Sequence, residues 1–242
     1  MRIKNKKNIH RNITMHKEDP LSVKYPDEYI HLLKQHTVNM QEENYSTQAL
    51  DIITSIIYYC PTNYTVWVDR RKVLGKIPRD TYNYNKELTW IKKRAHENQK
   101  NYQVWHHFKH VLTEMNHEIS EDLDILEIVR KDPKNIHFWG VFLACTKNVE
   151  SALEYTKYFI EEDVRNNSAY SIRYTLISPI LKQDPARFQK EKEFLLSLPV
   201  LKYNLAYWNY LAGLNRMFPE SDLLVRCEGI LESKEVPKYY ED

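Results

Sequence analysis

Apolar and polar residues alternate along most of this chain with the three- and four-residue spacing of amphipathic helices. Leu, Ile, Tyr and Phe return on one helical face in the stretches 49–59, 87–95, 122–131, 152–162 and 192–201. Turn signals that contain Pro61, Pro133 and Pro185 divide the chain between such stretches. The pattern predicts a chain built almost wholly of helices joined by short turns.

A second pattern, an Asn followed four residues later by a large aromatic residue, occurs five times. The copies begin at Asn63, Asn101, Asn135, Asn166 and Asn204, which are 38, 34, 31 and 38 residues apart. Because an Asn side-chain oxygen can accept a hydrogen bond from a free amide in the first helical turn, we expect each Asn to cap a helix. The aromatic residue then lies about one turn inside, where it can fill the space between stacked helices.

Each unit of about 35 residues therefore contains two predicted helices and two turns. One hairpin cannot bury its own apolar face, so neighbouring units must stack to form a continuous core. We expect an earlier helix pair at 27–38 and 42–59 to begin the array and a last helix at 222–233 to close it. The predicted fold is all-α, an α-α superhelix (solenoid) of stacked antiparallel helical hairpins with a crescent shape.

Charge is distributed unevenly, although the net charge of the 242 residues is only +2. Residues 1–17 contain six basic side chains and no acidic one. We interpret residues 1–20 as a flexible basic tail and residues 21–242 as a single helical-repeat domain. A nucleic-acid or membrane arm is the alternative for the tail, but no basic stripe with interleaved aromatic residues follows it.

The composition argues against several other classes of protein. Only 4 glycines are present, and a Rossmann fold, a P-loop or an all-β barrel needs more of them in its turns. Cys60, Cys145 and Cys227 do not have the spacing of a zinc site, so we expect free thiols and no metal bound by this chain. Since neither a secretory signal nor an apolar run of membrane-spanning length is evident, we expect a cytoplasmic protein.

The Asn-Tyr-x-x-Trp core of the motif is similar to the prenyltransferase α-subunit repeat. Longer strings resemble, in family order, the repeats of the α subunit shared by protein farnesyltransferase and protein geranylgeranyltransferase type I. These strings are CPTNYTVW (60–67), NQKNYQVWHH (98–107), EEDVRNNSAY (161–170) and YNLAYWNYLAGL (203–214). Tetratricopeptide repeats have a similar period, but their first helix carries a Leu-Gly step that these units lack.

The resemblance implies one half of a heterodimeric enzyme. Such an enzyme transfers a farnesyl or geranylgeranyl group from its diphosphate to a cysteine thiol near the C-terminus of a CaaX protein. The resemblance also implies that a β subunit carries zinc and most of the lipid pocket, that magnesium serves the heterodimer, and that this chain binds no cofactor. The alternative is a non-catalytic α-helical repeat scaffold for protein–protein interaction.

The same resemblance assigns roles to individual residues. Lys100 stands just before a predicted helix N-terminus, where unpaired amides and the helix dipole already favour an anion. In the family, the lysine of this motif contacts the diphosphate and the tyrosine, here Tyr102, lines the same site, so these two are the candidate catalytic residues. The candidate substrate-binding residues are Gln103, for the terminal carboxylate of the substrate, and Tyr64, Asn135 and His137. The presence of Lys100, Tyr102 and Gln103 together favours the enzyme over the scaffold.

One position of the repeat, which we name the slot, departs from the family pattern in some copies. The family usually carries Arg three positions after the aromatic residue, which holds here at Arg70 and Arg173. The matching positions in the other copies are Phe108, Phe142 and Leu211. The sequence leaves open what this difference does to a subunit interface.

Overall fold

The computed structural model describes residues 24–184, 186–199 and 202–233, and every regular element in these ranges is a helix. The predicted basic tail lies outside the described residues, so its separation from the domain stays a prediction. The α-helices are α1 (Asp27–Gln41), α2 (Thr47–Tyr59), α3 (Tyr64–Lys76), α4 (Tyr84–Glu97), α5 (Tyr102–Met115), α6 (Leu123–Arg130), α7 (Ile136–Cys145), α8 (Val149–Glu162), α9 (Asn167–Gln183), α10 (Arg187–Ser197), α11 (Leu205–Met217) and α12 (Leu223–Ser233). A short 3₁₀ turn, Ile119–Glu121, precedes α6.

The helices lie close to where the apolar spacing predicts them, apart from the boundary between α1 and α2 and the bounds of α10, which begins at Arg187 and ends at Ser197 rather than covering 192–201. Helix α1 continues to Gln41, past its predicted end at 38, and α2 begins at Thr47 rather than at 42. The Ser46 hydroxyl accepts a hydrogen bond from the backbone N–H of Ala49 at 3.2 Å and so caps α2. The prediction for this boundary was wrong because it did not include the serine cap.

The helices pair into five units, and the second helix of each unit begins after a motif Asn. Unit 1 comprises α2 and α3, unit 2 comprises α4 and α5, unit 3 comprises α6 and α7, unit 4 comprises α8 and α9, and unit 5 comprises α10 and α11. The second helices pack on one another in a row, α3 on α5, α5 on α7, α7 on α9 and α9 on α11. This arrangement confirms the predicted superhelix of stacked helical hairpins.

The motif asparagines occupy the N-caps of the second helices. First-turn amides donate to the side-chain oxygens of Asn101, Asn135, Asn166 and Asn204, at 2.9 to 3.3 Å. Asn63 differs, because its side chain accepts no cap bond and its Nδ2 lies 3.5 Å from the Tyr29 hydroxyl. The predicted capping bond is therefore confirmed in four copies and wrong for the side chain of Asn63.

The other end of the Asn amide joins each unit to the preceding one. Pro61 O accepts hydrogen bonds from Trp67 Nε1 and from Asn101 Nδ2, both at 2.8 Å. The same shared acceptor recurs one and two units later, at Gln99 O and Pro133 O. Because the Trp of one unit and the Asn of the next meet on one turn carbonyl, the motif serves stacking as well as capping.

The motif aromatics lie in the core in four of the five units. The buried ones are Trp67, Trp105, Trp139 and Tyr170. Trp208 is only half-buried, and the prediction of a core position is wrong for it. Unit 5 buries the neighbouring Tyr207 instead, whose hydroxyl lies 3.0 Å from Cys227 Sγ of α12.

The two slot arginines are buried inside the chain. Arg70 donates from Nε and Nη2 to the two carboxylate oxygens of Glu87 in α4, both at 2.7 Å. Arg173 makes the same bidentate contact with Glu191 in α10, at 2.7 and 2.8 Å. Each pair joins a unit to the first helix of the next unit. These arginines are therefore bonded between units of the chain itself and are not part of an exposed interface.

Candidate functional site

Helix α5 begins at Tyr102, beside a cleft between the first two units. The bond from Asn101 Nδ2 to Pro61 O draws the turns before α3 and α5 together. The cleft between these turns has a volume of about 500 Å³ and is lined by residues 97–102 and by Pro61 and Thr62. The N-terminus of α5 opens on this cleft, where its first amides and its dipole favour an anion.

Lys100 lines the cleft, and its ammonium group forms an ion pair with the carboxylate of Asp132. Asp132 belongs to the turn before α7, so the pair crosses from unit 2 to unit 3. The Lys100 side chain is 81% exposed, whereas that of Asp132 is 22% exposed. An exposed pair of this kind contributes only about 0–1 kcal/mol to stability. A stronger anion can therefore recruit the lysine at little cost.

Four of the five second helices begin with a large, exposed apolar side chain. These residues are Tyr64, Tyr102, Ile136 and Leu205, which begin α3, α5, α7 and α11, whereas α9 begins with the polar Asn167. Tyr102 is 58% exposed and Tyr64 is 64% exposed, so their rings are available to a ligand or a partner. Several large apolar side chains exposed along one edge are typical of an interaction surface. We name these four residues the N-terminal row.

Gln103 differs from its neighbours in the site because its side chain is buried. The residue is only 7% exposed, and its Oε1 has no hydrogen-bond partner among the described residues. A half-turn about the last torsion exchanges the oxygen and the NH₂ group of an amide, so this position can offer either an acceptor or a donor. The binding of a substrate carboxylate by Gln103 stays a prediction.

Asn135 and His137 lie at the start of α7. Both ends of the Asn135 amide are bonded within the chain, because Oδ1 accepts from the backbone N–H groups of His137 and Phe138 and Nδ2 donates to Gln99 O. His137 is partly exposed. The binding roles of both residues stay predictions, and Asn135 has a structural role between units that the sequence interpretation did not include.

The six candidate residues lie at or next to the N-termini of α3, α5 and α7, and two of them, Lys100 and Tyr102, line the cleft. Lys100, Tyr102 and Gln103 are nearly consecutive in the chain, and Tyr64 follows the turn on the other side of the cleft. Asn135 reaches the same turn through its bond to Gln99 O. The inter-unit hydrogen bonds of the motif are thus what assembles the candidate site.

A buried polar network lies one helical turn below Gln103 on α5. His107 Nε2 bonds to Glu87 Oε1 at 2.7 Å, beside the bidentate contact from Arg70. Burial lowers the pKa of His107 to about 4, so the ring is neutral at physiological pH. Burial alone would raise the pKa of the Glu87 carboxyl, but Arg70 and His107 outweigh it and hold that pKa well below its usual range. The network secures α5 against α3 and α4, and the sequence interpretation missed it.

The described part of the chain has neither a metal-ligand cluster nor a membrane-spanning helix. It contains no cluster of three His, Cys, Asp or Glu side chains with the geometry to hold a metal ion. None of its helices combines the length and apolar character needed to cross a membrane. Cys60, Cys145 and Cys227 are free thiols.

Comparison with known proteins identifies the repeat. Residues 84–115 match the sequence model of the family described as "Protein prenyltransferase alpha subunit repeat". The matched segment consists of α4, α5 and the turn between them, and it includes Lys100, Tyr102 and Gln103. This segment of the chain is thus similar to one prenyltransferase α-subunit repeat.

Two curated relatives of this repeat protein are α subunits by name. Over 74 residues the chain is 39% identical to the "Protein farnesyltransferase/geranylgeranyltransferase type-1 subunit alpha" of Schizosaccharomyces pombe, covering 31% of this chain and 24% of that protein. It is 28% identical over 115 residues to the Candida albicans protein of the same name, covering 46% of this chain and 37% of that protein. The matches thus span about a quarter and somewhat over a third of the lengths of these relatives.

A solved structure extends the likeness to most of the repeat protein. It is described as Candida albicans protein geranylgeranyltransferase-I complexed with GGPP, and the matched chain is 27% identical with a TM-score of 0.68. The match covers 86% of this chain and 73% of that one. The superhelix as a whole, and not only the segment 84–115, therefore has the prenyltransferase α-subunit fold.

Proposed function

We propose that this chain is the α subunit of a heterodimeric CaaX protein prenyltransferase. The complex transfers a farnesyl or geranylgeranyl group from its diphosphate to a cysteine thiol near the C-terminus of a protein substrate. The observation that carries the proposal is the placement of Lys100, Tyr102 and Gln103 around the N-terminus of α5, within the matched repeat. The names of the curated relatives and the GGPP complex of the solved relative support it.

In this proposal Lys100 supplies positive charge to the departing diphosphate. Negative charge grows on the diphosphate oxygens as their bond to the isoprenoid carbon breaks, so a cation here stabilises the transition state more than the ground state. The N-terminus of α5 adds partial positive charge at the same place. The exposed hydroxyl of Tyr102 donates a further, weaker hydrogen bond to the anion.

Gln103 holds the terminal carboxylate of the protein substrate. The Oε1 atom of its buried amide has no hydrogen-bond partner among the described residues, and in this proposal the amide turns its NH₂ group toward that carboxylate. Tyr64 and His137 border the substrate from the neighbouring helix ends. Asn135 contributes by holding the turn before α5, since both ends of its amide are bonded within the chain.

The zinc belongs on the other subunit in this proposal. Zinc activates a cysteine thiol by binding it as a thiolate. The described residues of this chain do not fit a zinc site, because no three His, Cys, Asp or Glu side chains cluster among them. We therefore place the zinc on the β subunit, assign magnesium to the assembled heterodimer, and give this chain no part in activating the thiol.

The N-terminal row supplies part of the surface for the β subunit. Its tyrosines and aliphatic side chains are exposed at the same end of the superhelix as Lys100. Permanent complexes commonly bury more than about 2,000 Å². We expect a stable heterodimer in this range and a chain that is poorly soluble when it is expressed alone.

The test is co-expression of the chain with candidate β subunits, followed by an assay of prenyl transfer to a CaaX peptide. Lys100→Ala should lower the single-turnover rate about 10²-fold, with a smaller effect on the affinity for prenyl diphosphate. Lys134→Ala, at the same register one unit later, is the matched control and should keep a near-normal rate. A stable monomer that recruits no β subunit, or an unchanged rate in Lys100→Ala, would favour the scaffold instead.

A further inference from the structure

Two ion pairs of the same register cross between neighbouring units. In each, the lysine just before a motif Asn pairs with the aspartate three residues before the next motif Asn. The first pair is Lys100 with Asp132, and the second is Lys134 with Asp163, whose Nζ and Oδ2 atoms are 2.7 Å apart. The repeat therefore contains its own control for the behaviour of the first pair.

The two pairs differ in their surroundings, because the first borders the candidate site. Lys100 lines the cleft together with Tyr102. The turn that carries Asp132 is held by backbone bonds, from Asp132 N to Val129 O at 2.9 Å and from Asn135 N to Asp132 O at 3.0 Å. The carboxylate is thus the anchored member of the pair, and the lysine, on its flexible four-carbon stem, is the movable one.

We propose that Asp132 is a positioning residue that holds the Lys100 ammonium beside the cleft and competes for it with diphosphate. The inference rests on the proposed function of Lys100. A diphosphate carries several negative charges, so it can displace a single carboxylate from an exposed lysine. When the product diphosphate leaves, Asp132 takes the ammonium back, which assists release.

The expected change in the affinity for diphosphate is small, and its direction is definite. Replacing Asp132 by Asn removes both the competing carboxylate and a negative charge close to the bound anion, so diphosphate should bind more tightly. Exposed pairs have modest strength, which sets the gain at about two- to five-fold. Salt screens such charges, so the gain should shrink as the ionic strength rises.

The experiment measures the Kd of inorganic diphosphate for the full chain in complex with its β subunit, by titration calorimetry at two ionic strengths. Asp132→Asn should lower the Kd about two- to five-fold at low salt. Asp132→Glu should behave like the unaltered protein because it keeps the charge. Asp163→Asn, which removes the same charge from the equivalent pair, should leave the Kd unchanged. In a Lys100→Ala background, Asp132→Asn should give a smaller gain, because the part that acts through the lysine is lost.

The other possible outcomes distinguish failure of this inference from failure of the proposed function. Weaker binding in Lys100→Ala without a gain in Asp132→Asn would overturn the inference and leave the proposed function standing. Equal gains in Asp132→Asn and Asp163→Asn would overturn it as well, because they would report only a change of net charge. Unchanged binding in Lys100→Ala would overturn both ideas. If no β subunit associates, the proposed function fails, and the same titration of the full chain alone decides the inference.

Discussion

Units 1 and 4 stack on their neighbours differently from units 2 and 3, and the difference lies seven residues after the motif Asn. In units 1 and 4 this slot holds Arg70 and Arg173, each buried against a glutamate of the next helix. In units 2 and 3 it holds Phe108 and Phe142, which pack among other rings. Because one architecture accepts both, stacking does not depend on the ion pair.

The charged slots are surrounded by groups that compensate for the buried guanidinium. Arg70 also donates to Thr54 Oγ1 at 2.8 Å, and its guanidinium lies 3.9 Å from the centre of the Trp90 ring. Arg173 donates to Leu153 O at 2.7 Å and lies 4.2 Å from the centre of the Phe194 ring. A buried ion pair with these contacts is close to neutral for stability, but losing one partner leaves the other charge stranded.

The aromatic slots have no charge to strand. The Phe142 ring centre lies 4.8 Å from that of Tyr155 and 5.5 Å from that of Trp139. Such pairs contribute through buried area and about 0.5–1.5 kcal/mol of ring–ring attraction. The stability of units 1 and 4 therefore depends on keeping both members of the ion pair, whereas the stability of units 2 and 3 depends on the volume of the side chain in the slot.

The largest effect on stability is expected when one buried carboxylate is removed. Glu87→Leu should lower the free energy of unfolding by about 3–5 kcal/mol, because Arg70 is left buried without its partner. Phe142→Leu, an apolar exchange in an aromatic slot, should cost only about 1–2 kcal/mol. Urea denaturation followed by circular dichroism measures both. Equal losses in the two variants would remove the distinction between the slots.

Replacing both members of a charged pair should recover much of that loss. In unit 4, Glu191→Leu alone strands Arg173, while Arg173→Met with Glu191→Leu turns the slot into an apolar one like those of units 2 and 3. The double variant should be more stable than Glu191→Leu by about 2–3 kcal/mol. A double-mutant cycle on the same denaturation assay gives this coupling. Additive losses would show that the two residues act independently, against the geometry of the pair.

Much of this fold could be predicted from the sequence because its determinants are local. The helices follow from apolar spacing, and the caps of four second helices follow from the motif Asn, and both act within a few residues. Lys100, Tyr102 and Gln103 are neighbours in the chain, so the motif itself brings them together. What the sequence did not show is the second use of the motif Asn in units 2 to 5, where its amide reaches a carbonyl about one unit away.

The partners of the slot arginines also escaped prediction, although the repeat contains a signal for them. A glutamate in an amphipathic stretch is ordinarily solvated, so nothing local distinguishes Glu87. The residues seventeen positions after the slots of units 1, 2 and 3 are Glu87, Ile125 and Phe159, respectively. The residue eighteen positions after the slot of unit 4 is Glu191. A charged slot is thus followed by a carboxylate and an aromatic slot by an apolar residue. Aligning the units with one another would have revealed the pairing.

The two charged networks should also differ in their response to pH. The pKa of His107 is about 4 in the folded chain and about 6.5 in an unfolded one. Between these values the unfolded chain binds a proton that the folded chain does not. The contribution of neutral His107 to the free energy of unfolding is therefore fully present above pH 6.5. It falls toward pH 4, by at most about 1.4 kcal/mol per pH unit. Tyr210, the matching donor to Glu191, should cause no such loss, because burial and Glu191 raise its pKa well above the usual value.

The variant that isolates this pH effect is His107→Gln, which keeps an N–H donor but does not titrate. Its unfolding free energy should change less between pH 6.5 and 4.5 than that of the unaltered chain. Tyr210→Phe is the matched change in unit 5 and should leave the slope of the pH dependence as it was. Parallel pH profiles for the unaltered chain and His107→Gln would contradict the assignment of this window to His107.

The smallest expected effect concerns Tyr170, which takes the position of the motif Trp in unit 4. In units 1 to 3 the indole N–H at this position donates to a turn carbonyl six residues earlier. The Tyr170 hydroxyl is buried without a partner among the described residues, and burial raises its pKa. Tyr170→Phe therefore removes an unsatisfied group and should leave the free energy of unfolding unchanged or raise it by up to about 1 kcal/mol.

Tyr210 provides the contrast for this last prediction, because its hydroxyl donates to Glu191 Oε1 at 2.6 Å and its ring packs against Tyr170. Tyr210→Phe takes a donor away from a buried carboxylate and should cost about 1–3 kcal/mol. Both variants lose one oxygen from the same ring pair, so the difference between them reports hydrogen bonding rather than packing. Denaturation curves for the two proteins under one set of conditions measure it. A loss of more than about 1 kcal/mol in Tyr170→Phe would contradict the interpretation that its hydroxyl is unsatisfied.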